Sequence, residues 1–253
     1  MYIELFNLPV STTILIITTA VIAGLVRGFS GFGGALIFMP VASSLVDPRL
    51  AAGTFLIVDF LAALPMAYNG MKLCDWRTVW PAVLGAALLV PVGTMVLAMS
   101  DTLALRWAIS LLTLALWGLI VSGWRYGGMP KWPLSLGVGA LAGFMGGLAQ
   151  ISGPPVIAYW MSGPAKPLVV RANIVVFFFL SSLATFLSYG LNGIFSADTA
   201  KFFMLLLPAY VLALYAGTKM FGLASGVTYR RVAMTLVAIA AITSLPILDA
   251  VLR

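Results

Sequence analysis

The chain has 253 residues, of which 62% are hydrophobic and only 8% charged, against roughly 25% charged in an ordinary soluble domain; with a mean hydropathy of +1.10 this excludes a soluble globular fold. Histidine is absent and Cys74 is the single cysteine, so zinc, haem, disulfide and Cys/His catalytic constellations are excluded and neither cofactor nor metal is expected. The net charge of +7 is carried by basic residues scattered between apolar segments, which fits loops obeying the positive-inside rule and excludes a nucleic-acid-binding stripe.

Glu4 precedes the first apolar run and no Lys or Arg occurs before Arg27, so the positive n-region of a cleaved signal peptide is missing and the first segment is expected to be retained. In chain order the apolar segments cover about 10 to 27, 33 to 46, 50 to 70, 77 to 98 and 103 to 123, then about 133 to 149, 153 to 164, 168 to 190, 199 to 219 and 231 to 252. All are expected to be helical, with no soluble domain between them: an all-α integral membrane protein. The second segment of each set is short. At about 1.5 Å per residue it covers only about 18 to 21 Å of a hydrocarbon core near 30 Å thick. The first two segments of each set therefore read as a broken or re-entrant hairpin.

The chain also repeats itself. At an offset of 119, Ala23-Gly24 falls on Ala142-Gly143, Gly28 on Gly147, Gly34 on Gly153, Ser43 on Ser162, Pro48 on Pro167 and Phe60-Leu61 on Phe179-Leu180. At 123, Asn69-Gly70 meets Asn192-Gly193 and Asp75 meets Asp198; at 124, Gly93-Thr94 meets Gly217-Thr218 and Arg106 meets Arg230. The expectation is a single transmembrane transport domain over 1–253 built from two repeats of about five helical segments, about 9–126 and about 130–253. Each repeat makes an odd number of net crossings, so the two are inverted.

Charge tests the orientation. With the N-terminus outside, Lys72, Arg77, Arg125, Lys131, Lys166, Arg171, Lys219, Arg230 and Arg231 fall inside, against Arg49, Arg106, Lys201 and Arg253 outside. That bias predicts a periplasmic N-terminus in a multi-pass protein of the bacterial inner membrane. Trp76, Trp80, Trp107, Trp124 and Trp132 flank segments and read as interface anchors in the lipid bilayer.

The two glycine-rich breaks, Gly28 to Gly34 and Gly147 to Pro155, carry the functional reading. Paired interruptions at matching places in two halves point to a transporter's substrate site. A helix that restarts inside hydrocarbon presents unbonded N–H groups and a partial positive charge to an anion. Gly31, Gly33, Gly34 and Gly153 sit at the breaks and read as ligand-site glycines. For Gly24, Gly28, Gly143 and Gly147, close helix packing is an equal alternative. Ser30, Gln150 and Ser152 would hydrogen-bond an oxyanion or satisfy freed backbone groups. Thr54 and Asn173 match across the repeat inside spanning helices and are expected to face the bundle interior. Arg27, at the first break, costs roughly 2.5 to 3.5 kcal/mol to insert; its compensation is an anionic substrate, Asp59, or snorkelling to the inner headgroups. Asp59 is a candidate for proton coupling.

The run Gly31-Phe-Gly-Gly-Ala with Pro40, its partner from Gly147 to Pro155, and the duplicated layout resemble the TauE/SafE sulfite exporter family over essentially the whole chain. The resemblance implies a bacterial inner-membrane carrier of small sulfur oxyanions or organosulfonates, such as sulfite, sulfoacetate or taurine-related compounds. The second break departs from it, with Gln150-Ile-Ser-Gly-Pro-Pro where many members carry another run of glycines, which leaves the anion's identity open.

The leading expectation is a secondary transporter of a small anion working by alternating access, its two broken hairpins set against each other. An anion channel of the same fold and a non-transporting receptor or scaffold are the alternatives. An enzyme is not expected, because the convergent acid, base or nucleophilic groups it would need are missing. Oligomeric state and the direction of transport are not legible.

Overall fold

A computed structural model describes residues 2–3, 8–123, 126–128, 130–161, 165–220 and 226–249; for residues 2, 3 and 226–232 only the backbone is considered. Glu4, Trp124, Arg125, Ser162 and Arg253, and the side chains of Arg230 and Arg231, lie outside this set. The protein is all-α apart from a two-residue antiparallel pairing of β1 (Tyr2–Ile3) with β2 (Leu8–Pro9). The helices are α1 (Val10–Ser30), α2 (Gly34–Leu45), α3 (Pro48–Met71), α4 (Trp76–Met99), α5 (Thr102–Val121), α6 (Trp132–Ala149), α7 (Gly153–Trp160), α8 (Pro167–Leu191), α9 (Ala197–Met220) and α10 (Gly226–Thr243).

Seven of them, α1, α3, α4, α5, α6, α8 and α9, are long and apolar enough to cross a membrane. Large apolar side chains such as Leu88, Met95, Met204 and Leu212 are exposed along them, which suits hydrocarbon and not water. α2 and α7 have 12 and 8 residues, about 18 and 12 Å at 1.5 Å per residue, too short to cross. α10 ends earlier than its apolar sequence suggests. It stops at Thr243, and a 3-10 turn follows at Pro246–Leu248, because Pro246 offers no N–H and its ring crowds the preceding turn. Trp76 and Trp132 open α4 and α6 and are exposed.

The chain forms two compact units, and each draws on both halves of the sequence. The first comprises the described residues of 1–62, 100–115 and 194–253. Its main contact is α1 against α9, with α2 on α1 and α10 on α2. A Cβ on Gly24 would lie 2.8 Å from the Tyr210 carbonyl oxygen, and one on Gly28 or Gly217 would strike the Leu214 or Leu25 carbonyl. Glycine alone lets these two helices touch backbone to backbone. Phe38 stacks on Phe55, whose ring meets Tyr210 edge-on at 5.8 Å between centroids.

The second unit comprises the described residues of 63–99 and 116–193. Here α4 packs on α6, and α8 on α4. The same device recurs: Gly143 is pressed on Ala86, Gly147 on Val90 and Thr94, and Gly93 on Phe144 and Leu148. At Gly24, Gly28, Gly143 and Gly147 close helix packing accounts for the missing side chain.

Candidate functional site

In the first unit α1 stops because Gly31 takes the left-handed conformation (φ 79°, ψ 1°), its N–H returning to the Arg27 carbonyl. Gly33, at φ 89°, turns the chain into α2, which begins at Gly34 with no side chain capping it. Ser30 Oγ lies 2.6 Å from the Val26 and the Phe32 carbonyl oxygens and accepts from the Phe32 N–H at 3.3 Å. These bonds satisfy backbone groups at the break, one of the two roles open to Ser30.

Arg27 is 4% exposed. Its Nε and Nη2 donate to Asp59 Oδ1 and Oδ2 at 2.9 and 3.1 Å, and Nη1 donates to the Gly31 carbonyl. Tyr210 Oη donates to the same Asp59 Oδ1 at 2.6 Å. The carboxylate thus accepts three hydrogen bonds, two in the parallel fork that a guanidinium makes with an oxyanion. The cluster lies at the start of α2: a Cβ on Gly34 would sit 3.1 Å from Tyr210 Oη and 3.2 Å from Arg27 Cβ. Arg27, Asp59, Gly31 and Gly34 come together as a set, and Tyr210 joins them. Thr54 is buried in α3, its Oγ1 without a hydrogen-bond partner among the described residues.

In the second unit α6 stops at Gln150, the one non-glycine residue with positive φ among the described residues (φ 60°, ψ 13°), its N–H returning to the Gly146 carbonyl. Gln150 Nε2 donates to Tyr189 Oη at 3.0 Å, and Tyr189, fully buried, donates to the Gly147 carbonyl at 3.0 Å. Ser152 occupies the position before α7 without capping it, and its hydroxyl lies against Gly146. α7 opens Gly153-Pro-Pro, so its first three residues carry a single N–H. Asn173 is drawn into a different job: its Oδ1 accepts the Asp75 N–H at 2.7 Å, tying α8 to the start of α4.

Tyr210 and Tyr189 escaped the sequence reading. Neither belongs to a motif, and their partners are 151 and 39 residues away. One signal was available: a tyrosine inside an apolar helix must find a partner for its hydroxyl.

Compared with known proteins, the chain matches the family model for sulfite exporter TauE/SafE over residues 16–244. It is 28% identical over 232 residues to the probable sulfite/organosulfonate exporter TauE of Cupriavidus necator, covering 87% of this chain and 89% of that protein. No solved structure matches it.

Proposed function

This chain belongs to the sulfite exporter TauE/SafE family and is a multi-pass membrane transporter, not an enzyme; on that premise we propose that it is a secondary transporter moving a small anion, sulfite or an organosulfonate, across the bacterial inner membrane by alternating access. The observation that carries the reading is the pair of helix breaks. Each ends a spanning helix on a left-handed residue, Gly31 or Gln150, and restarts a helix too short to cross. Such breaks place backbone dipoles at membrane depth, where irregular backbone is tolerated only if it is buried in protein or lines a cavity, and paired breaks of this kind are the pattern of a transporter's substrate site.

The substrate class is brought over from the relative's name, and its fit rests on Arg27 and on the amides opening α2. The inverted repeat has support in the packing: aligned glycines, Gly24 with Gly143 and Gly28 with Gly147, serve aligned pairings, α1 on α9 and α6 on α4. The basic bias of one set of loops supports a periplasmic N-terminus.

Flux of sulfite and of small organosulfonates into proteoliposomes tests the function. Saturable uptake that accumulates against a gradient is expected; unsaturable passage would mean a channel, and no flux of any member would refute the assignment. Arg27→Ala should abolish flux, and Gln150→Ala should weaken apparent affinity by about tenfold, as expected for one lost hydrogen bond to a charged group. Unaltered affinity in both would remove the breaks from the site.

A further inference from the structure

Arg27 is already neutralised. Its guanidinium is held in a two-point fork by Asp59, so the cluster sums to zero charge, and a substrate anion added to it would leave an uncompensated negative charge in a low-dielectric interior. Two oxyanions cannot share one buried guanidinium at little cost. Asp59 is the less enclosed partner, its side chain 17% exposed against 5% for Arg27. Tyr210, 2.6 Å from Asp59 Oδ1, stays within hydrogen-bond distance whether the group is a carboxylate or a carboxylic acid, because a phenol donates to the first and accepts from the second.

We propose that the Asp59 carboxylate is a resident stand-in for the transported anion, which gives up Arg27 when it takes a proton, so that one proton and one negative charge bind together. Protonation at a carboxylate oxygen makes the neutral acid, which Tyr210 retains by hydrogen bonding. The freed fork of Arg27 then takes two oxygens of the incoming oxyanion beside the first amides of α2. Charge is zero before and after, so the bound and empty carriers are electrically alike. The geometry identifies the competing groups. On α1 the titratable group facing Asp59 is Arg27, and on α9 it is the Tyr210 hydroxyl; α2 has no titratable side chain, nor has the described part of α10 from Ala233. Arg49, on Asp59's own helix, is engaged with Asp47.

This inference rests on the anion-carrier reading and is separable from it. The probe is isethionate, a sulfonate that stays ionised across the pH range used, whereas sulfite takes up protons itself. Calorimetry of isethionate binding to the purified full-length protein, in two buffers of different ionisation enthalpy, should show close to one proton taken up per anion bound. Affinity should rise by up to about tenfold for each unit of falling pH, the limit for one linked proton. Asp59→Asn should bind isethionate with no proton uptake and a flat pH profile. Tyr210→Phe should keep the uptake and shift the pH midpoint. If Asp59→Asn does not fold, the wild-type proton count alone decides. Binding without proton uptake overturns the inference and leaves the carrier intact; failure of isethionate and sulfite to bind at any pH overturns both.

Discussion

The two breaks end their first helix alike, on a left-handed residue, and differ beyond it: Gly33 is left-handed where its counterpart Ser152 is right-handed. At the offset that aligns the halves, Gly31 corresponds to Gln150 and Arg27 to Gly146; both left-handed residues return their N–H to the carbonyl four residues back. Around this common frame, one break holds a buried ion pair and opens α2 on Gly34-Ala-Leu, three successive amides. The other holds a neutral Gln150–Tyr189 pair and opens α7 on a glycine and two prolines. Where the first places Arg27, the second has Gly146 with the Ser152 hydroxyl over it. The interruption of the helix thus recurs in both halves, while among the described residues a buried ion pair is found at the first break and not at the second. The small-residue contacts behave differently: they recur in kind on both sides, because a close approach needs only the missing side chain.

The sharpest way to break this contrast is to leave a charge unpaired. Asp59→Leu strands Arg27 and should lower stability by about 3–5 kcal/mol, read as the drop in thermal unfolding in detergent. Arg27→Met with Asp59→Leu should recover most of it. If the double variant is as unstable as the single, the first break is not held by its ion pair. Next, Tyr189→Phe leaves the buried Gly147 carbonyl without its donor and should cost about 1–3 kcal/mol; a silent Tyr189→Phe would mean that the neutral pair does not organise the second break.

A smaller effect compares the backbones. Gly31→Ala forces a side chain into left-handed geometry and should cost about 1–2 kcal/mol, whereas Gln150→Gly relieves that strain but removes the Tyr189 contact and should change stability by less. The smallest concerns the aligned pair Thr54 and Asn173. Thr54→Val removes a buried hydroxyl that has no partner among the described residues and should be neutral or slightly stabilising, whereas Asn173→Ala uncaps the start of α4 and should cost about 1 kcal/mol. Equal effects would restore the common role that the alignment suggested.

That alignment shows how far a sequence reads and where it stops. Thr54 and Asn173 occupy matching positions, yet among the described residues only Asn173 reaches a partner, because a helix start lies within range of its longer amide. Asp59 was legible as a partner of Arg27, since both fall near mid-depth and a buried cation needs compensation. Their two-point geometry was not, and neither was Tyr210, whose hydroxyl arrives from a helix far along the chain with no spacing rule to announce it. Ser30 was read as open between ligand and backbone, and the path of Phe32 brings backbone groups within its reach.

Composition and local chemistry by themselves determined the membrane class, the long apolar helices and the two places where helices stop, because hydrophobic run length, glycine and proline act within a few residues of chain. The α1 end came within a turn of its expected place. Only the tertiary structure decided which of the polar groups are engaged with one another, that each compact unit draws helices from both halves, and that one break is charged and the other neutral. Those outcomes depend on which helices pack together, and side-chain partners brought close by packing leave no periodic mark on the sequence.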